Sequence, residues 1–392
     1  MKNQFGMFIH WGIYALTGWQ EQYRLRLKFD KAEYAKLADK FNPVKYNPNE
    51  WVKLAKDAGM KYICFTTKHH DGFCMWDTKF CDFNIINTPY GKDVLKELAE
   101  ACQQNDMELS LYYSIPDAWH PNAYNPLSSH QLQPEPTDVP DMVLYREYIR
   151  NQITELMTNY GKIYTLFWDI PPNIADPSLN EYVRSMQPDI LINDRGFDPG
   201  DFSTPERNVP DGEAFSKMTE ACQSVGKQSW GYRIDEDYYS TKFLMQSMLK
   251  IMLMGGSYLL NVGPMADGTI PAKSAEIIGK VGKWYNNIKE SVTGTAIVSD
   301  IFDSKDFYVT KRDNSVYLHF IKDLQAGGLT LAPMKTLPRN VTLLNKGSPL
   351  KFGIDLLPED CRGGVIREPN LHIYNIPVDE FIGEVLVMKI DL

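Results

Sequence analysis

The run Tyr164 to Trp168 is apolar or aromatic except at Thr165, and Asp169 closes it. A carboxylate placed there, with no neighbouring lysine to neutralise it, suits a nucleophile. Candidates for a second carboxylate are Glu21, Asp201, Glu206 and Glu220. Glu206 follows directly on Pro205 in DFSTPERNVP, a rigid loop beyond Asp169 in the chain. Two such carboxylates can cleave a glycosidic bond: one attacks the anomeric carbon and the other protonates the leaving oxygen.

A second concentration of polar chemistry ends the stretch KYICFTTKHHDGF, Lys61 to Phe73, which begins as a strand. Neighbouring residues on a regular strand face opposite sides. His69 and His70 therefore converge on one ligand only where the strand has given way to a loop, a transition marked by Asp71-Gly72. His10, His69, His70 and Asp71 are numerous enough for zinc. The HxH and HExxH spacings are absent, however, and the expectation is a site with no metal and no cofactor. Each residue also has an ordinary reading. A histidine at a strand end is often a hydrogen-bonded structural group. Tyr113 and Trp168 could be core aromatics, Arg195 could pair with Asp194, and Glu206 could be a solvated loop carboxylate.

The elements that must position these residues supply the missing weight. GMFIHW, YICFTT, ELSLYYS, YTLFWDI, ILIN and SYLLNV read as strands buried on both faces. Helical patterns lie between them, at Asn49–Ala58, Lys92–Gln104, Met142–Tyr160, Leu179–Ser185 and Tyr239–Met254. With two weaker strands placed between Asp201 and Tyr238, the pattern predicts an α/β fold, a (β/α)8-type barrel over residues 1–295. In that fold, chemistry gathers at the C-terminal ends of the strands. Those ends carry His10 and Trp11, His69 to Asp71, Tyr112 to Ser114, Trp168 and Asp169, Asn193 to Arg195, and Asn261, so six strands point polar groups the same way. After a helix at Ser274–Lys289, short alternating strands separated by turn residues predict a C-terminal antiparallel β-sandwich over residues 296–392. Its expected role is to brace the barrel rather than to bind carbohydrate.

Composition excludes several functions. A chain of 392 residues with 43% hydrophobic and 12% aromatic residues can bury a large core. Its net charge of −9, with lysine and arginine scattered, argues against nucleic acid as a partner. No run approaches the eighteen apolar residues of a membrane span, and no signal peptide is visible, so the expectation is a cytoplasmic protein, or a periplasmic or secreted one if a leader has been removed. The six cysteines form no CxxC pair and are expected to be reduced.

FGMFIHWGIYAL, TTKHHDGFCMWD, LYYS, the strand ending in WD, NDR, TPE, SWGY and LLNVGPMADGTIP occur here in an order that resembles retaining α-L-fucosidases, glycoside hydrolase family 29. The resemblance covers Phe5 to about Thr295. It implies a retaining exo-glycosidase that removes terminal α-L-fucosyl residues through a covalent fucosyl-enzyme, with a fucosylated oligosaccharide or glycoconjugate as its partner. It further implies Asp169 as nucleophile and Glu206 as acid/base. His10, Glu21, His69, His70, Trp76, Tyr113, Arg195 and Trp230 become the implied sugar contacts. One departure from the family pattern is Glu21-Gln22-Tyr23, where a tryptophan often stands between the acid and the tyrosine. Two alternatives stay open. One is a related retaining glycosidase on L-galactose, or with side activity on D-galactosides. The other is a non-catalytic fucose-binding protein, which the two intact carboxylates argue against. Linkage and oligomeric state are not specified by the sequence.

Overall fold

The strand runs do pair in parallel. The computed structural model describes residues 4–172, 175–207, 214–298, 301–302, 304–333, 337–355 and 369–392. The chain divides into two compact units, Met1–Tyr239 with Met254–Gly279, and Ser240–Leu253 with Lys280–Leu392.

In the first unit, seven strands are involved: β1 (Phe5–Ile9), β2 (Tyr62–Lys68), β3 (Glu108–Ser114), β4 (Ile163–Asp169), β5 (Leu191–Ile192), β6 (Glu220–Ser224) and β7 (Ser257–Val262). They form one parallel sheet in the order β5-β4-β3-β2-β1-β7-β6. Nearly every residue of β1, β2, β3 and β4 is buried, as a parallel sheet covered on both faces requires. Two short helices, α1 (Tyr23–Leu27) and α2 (Lys31–Ala35), precede the crossover helices α3 (Pro48–Asp57), α4 (Val94–Gln104), α5 (Met142–Asn159) and α6 (Pro177–Met186). The crossovers begin where the sequence signals it. Asn47, Asp93 and Asp141 accept hydrogen bonds from first-turn amides, and Pro48 and Pro177 open their helices.

The sheet is strongly curved. Phe8 on β1 and Phe167 on β4 bring ring centroids to 5.3 Å although two strands separate them. On a flat sheet those strands would lie about 14 Å apart. At the other end the Tyr62 hydroxyl of β2 reaches the Glu220 carboxylate of β6. The Tyr62 ring crosses Gly6 of β1, where an added Cβ would stand 2.4 Å from it. Between β5 and β6 the segment 202–206 forms parallel bridges on both sides, Asn193 to Phe202 and Ser203 to Thr219. Of the two weaker strands expected between Asp201 and Tyr238, one is β6, and the segment 202–206 makes isolated bridges in place of a second.

In the second unit, α7 (Thr241–Leu253) accompanies two antiparallel sheets, and α8 (Ala272–Ile288) contributes to both units. The larger sheet holds six strands: β8 (Ala296–Ile297), β9 (Phe307–Arg312), β10 (Ser315–Phe320), β12 (Asn340–Leu343), β13 (Ser348–Pro349) and β16 (Val387–Asp391). The smaller holds β11 (Leu329–Pro333), β14 (Lys351–Asp355) and β15 (Asn370–Tyr374). Val316, Leu318 and Val341 of one share a core with Leu331, Leu371 and Ile373 of the other. Alternation is weakest in the sequence at β14, where Gly353 and the polar ends Lys351 and Asp355 interrupt it. Cys64, Cys74, Cys81, Cys102 and Cys222 are free thiols, and Cys361 lies outside the described residues. Among the described residues no helix is long and apolar enough to cross a membrane.

Candidate active site

A cavity of about 420 Å³ opens at the C-terminal ends of the strands. Asp169, the last residue of β4, forms its chemical centre and is 8% exposed. The strand stops there because Ile170 takes a left-handed backbone (φ 60°), an unfavourable state for a β-branched side chain that turns the chain into Pro171-Pro172. Tyr112 Oη donates to Asp169 Oδ2 (2.7 Å) and Arg195 Nη1 to Oδ1 (2.9 Å), with His70 Nε2 3.7 Å from Oδ2. Burial opposes ionisation, but His70, Arg195 and Tyr112 together hold the Asp169 carboxyl below the ordinary carboxylate range.

The same Arg195 Nη1 also donates to Glu206 Oε1. The two carboxylates thus lie within two hydrogen bonds of each other, one buried and the other 43% exposed. Arg195 is itself fixed by Thr204, whose Oγ1 accepts from Nε at 2.8 Å. Of the four candidates for a second carboxylate, Glu206 alone lines the cavity. Asp201 pairs with Arg184 at 2.9 Å and accepts the Ile192 amide. Glu220 is buried at the start of β6, the opposite end of the strands, against Tyr62.

Three histidines form the inner wall. β2 ends at Lys68, so His69 and His70 do fall on loop backbone, and their ring centroids are 4.1 Å apart. Gly72 (φ 83°) makes the turn possible, since an added Cβ would sit 2.3 Å from Asp117 Oδ1. His70 Nδ1 bonds Ser114 Oγ (2.6 Å), and His10 Nδ1 bonds Asn261 Oδ1 (2.7 Å). His69 Nδ1 is buried with no partner in the described protein. Burial lowers all three, His70 to about 4, so the rings are neutral donors and acceptors at physiological pH. Trp230 stacks on His10, with centroids 5.4 Å apart and planes 28° from parallel.

Three expected sugar contacts fall outside the lining. Tyr113 turns away from the cavity, donating to Gln152 Oε1 (2.8 Å), and its neighbour Tyr112 lines the site instead. The pleat decides this, because adjacent residues of β3 point to opposite faces. Trp76 is wholly buried and donates to Glu155 (3.1 Å). Glu21 Oε2 accepts from Ser229 Oγ and from the Trp230 and Gly231 amides (2.9, 3.0 and 2.9 Å), fixing the segment that presents Trp230. The lining also takes in Gln22, His130 and Ile170, which the sequence reading did not propose. Gln22 was legible only as the neighbour of Glu21, and His130 sits in a long connection with no periodic signal. Among the described residues no group of three or more His, Cys, Asp or Glu is arranged to hold a metal ion. A second cavity, about 440 Å³, opens at the N-terminal ends of β3 and β4 between Lys96 and Lys162; it lacks any histidine and faces away from this chemistry.

Paired carboxylates among imidazoles and aromatics, at the C-terminal edge of a curved parallel sheet, are the layout of a glycoside hydrolase. The family model for alpha-L-fucosidase matches residues 1–290, and the chain belongs to the alpha-L-fucosidase family. The plasma alpha-L-fucosidases of Pongo abelii and Homo sapiens are each 28% identical over 414 residues, spanning 96% of this chain and 87% and 86% of those proteins. Alpha-L-fucosidase isoenzyme 1 from Paenibacillus thiaminolyticus is similar with a TM-score of 0.84 at 29% identity, over 100% of this chain and 97% of that one. A GH29 alpha-L-fucosidase from Bacteroides thetaiotaomicron, captured as a trapped covalent intermediate with 2-fluoro-fucosyl fluoride, gives 0.77 at 26% identity, over 100% and 94%.

Proposed function

We propose that this chain is a retaining exo-α-L-fucosidase, with Asp169 as nucleophile and Glu206 as acid/base. The observation that carries the reading is the Arg195 bridge, which keeps the two carboxylates within two hydrogen bonds of each other. Retaining enzymes hold theirs about 5 to 5.5 Å apart, whereas inverting enzymes need room for a water between them. In the first step Asp169 attacks the anomeric carbon while Glu206 gives its proton to the leaving oxygen. In the second, Glu206 takes a proton from water, which displaces Asp169. The trapped intermediate of the Bacteroides relative supports the covalent step.

His10, His69 and His70 bind the hydroxyls of the fucosyl ring, and the unpartnered His69 Nδ1 is a ready partner for one of them. Tyr112, rather than Tyr113, faces the sugar from β3. Glu21 acts through the segment bearing Trp230, and Trp76 acts behind the site. The bridged segment 202–206 supports a closed (β/α)8 barrel over residues 1–295, in which it is the strand between β5 and β6, and the shared core of the two antiparallel sheets supports a sandwich over residues 296–392. A fucosylated glycan is the substrate.

Glu206→Ala tests the assignment. The variant is expected to be slow on fucosides with poor leaving groups and much less impaired on aryl fucosides with good ones. Azide should restore turnover and give the α-fucosyl azide, the product of two inversions. Equal defects on both substrate classes without azide rescue would move the acid/base role elsewhere.

A further inference from the structure

The cavity is graded by exposure. His10, His69, His70, Tyr112 and Asp169 form a nearly inaccessible floor, while the Glu206 side chain is 43% exposed. A sugar attacked by Asp169 fills the floor. The oxygen that Glu206 protonates, and whatever is bonded to it, must then point outward.

Two polar side chains on the lining have no role in the chemistry described above. Gln22 is partly exposed, and Arg26 Nε donates to its Oε1 at 2.8 Å. With the carbonyl engaged, the amide is oriented to offer its N–H groups. His130 belongs to the long connection between β3 and α5, and its ring centroid is 5.1 Å from that of His70. Its Nδ1 is engaged by Ser129 Oγ at 2.8 Å, leaving Nε2 for a ligand. Burial lowers the His130 ring, so it is neutral at physiological pH, and the charges of Asp169, Arg26 and Glu206 all act on it. Gln22, held by Arg26, and His130, held by Ser129, therefore line the same cavity as the two carboxylates.

We infer that Gln22 and His130 form the leaving-group subsite, reading hydroxyls of the pyranose to which the fucosyl residue is attached. Both are planar polar groups held by a neighbour, which suits directional hydrogen bonding to hydroxyls rather than stacking on a ring face. The inference rests on the fucosidase reading given above.

The test compares 4-nitrophenyl α-L-fucoside, whose leaving group has no sugar hydroxyl, with fucosyl disaccharides of α1,2, α1,3, α1,4 and α1,6 linkage. For Gln22→Ala and His130→Ala, kcat/KM on the best disaccharide, divided by kcat/KM on the aryl fucoside, should fall about tenfold, the effect of one lost hydrogen bond to a hydroxyl. The quotient cancels the fraction of folded enzyme, so poor folding cannot imitate the effect. A quotient within twofold of the unaltered enzyme for both variants and all linkages would overturn the subsite. Failure of the unaltered enzyme to hydrolyse the aryl fucoside would instead overturn the fucosidase reading, and the subsite with it.

Discussion

Arg195 Nη1 is the atom on which both carboxylates meet, and a single nitrogen in that position does two things. It fixes the spacing of nucleophile and acid, and it supplies a positive charge that persists at every working pH. His70 adds its charge only in acid, because burial drives its ring down to about 4. Replacing Arg195 with methionine should therefore lower kcat by roughly a hundredfold, in line with the loss of a preorganised donor. It should also move the acidic limb of kcat/KM upward. The sign follows from linkage: Arg195 stabilises the ionised Asp169, so removing it favours the protonated, inactive form and raises the pH at which activity appears. A variant with reduced kcat and an unmoved acidic limb would show that Arg195 acts on geometry alone. Asp169, Arg195 and the paired histidines were legible in the sequence because each stands where an apolar run ends. Tyr112 was not distinguishable from Tyr113, since a strand buried on both faces carries no alternation to say which side is which.

At the scale of elements, the end of β2 and the loop after β3 are bolted together by Lys68 and Asp117. Both side chains are inaccessible, with Nζ to Oδ2 at 2.8 Å. Asp117 Oδ1 in turn accepts the Trp119 and His120 amides (2.8 and 2.9 Å). Lys68 Nζ also sits 4.4 Å from the Tyr113 ring centroid, and this gives Tyr113 a structural partner on the face away from the cavity. Because Lys68 directly precedes His69 and His70, the pair fixes the backbone that presents the inner wall. Removing one partner strands the other as a buried charge. Lys68→Met should cost about 3 to 5 kcal/mol in denaturant unfolding. Adding Asp117→Asn should recover part of that loss, since the amide oxygen can still accept from Trp119 and His120. A double variant no more stable than Lys68→Met alone would exclude the stranded charge as the cause. The Asp71-Gly72 pair marks the loop after β2 in the sequence, through the turn chemistry of glycine, although the strand already ends at Lys68. It could not show the bolt, because the two partners are distant in sequence and each alone reads as an ordinary surface charge.

For the whole molecule, the two ends of the curved sheet carry opposite electrostatic demands. At the C-terminal end Asp169 is held below the usual carboxylate range, which favours the folded state above the pH where an unfolded carboxylate titrates. At the N-terminal end Glu220 is buried among apolar and aromatic side chains, with the Tyr62 hydroxyl as its donor, and burial raises it to about 7 against an ordinary 4.5. In the sequence Glu220 was one of four candidate acids. Nothing local distinguished it, because its environment is made by Tyr62 of β2 and the neighbouring strand β7. A folded-state value above the unfolded one means that the native protein holds a proton the unfolded chain gives up. The corresponding stability is complete below about pH 4.5 and is lost as pH rises through about 7. At one pKa unit per 1.36 kcal/mol, the difference amounts to about 3 kcal/mol. Glu220→Gln keeps an oxygen to accept from Tyr62 and cannot ionise. The variant should match the unaltered protein near pH 4 and exceed its stability by up to about 3 kcal/mol at pH 8, measured as the difference between their denaturation curves across that range. Asp71, buried and raised to about 6, titrates in the same window in both proteins and cancels from the difference. A difference that does not grow between pH 4 and 8 would mean that Glu220 is already ionised in the folded protein, with water reaching the N-terminal end of the sheet.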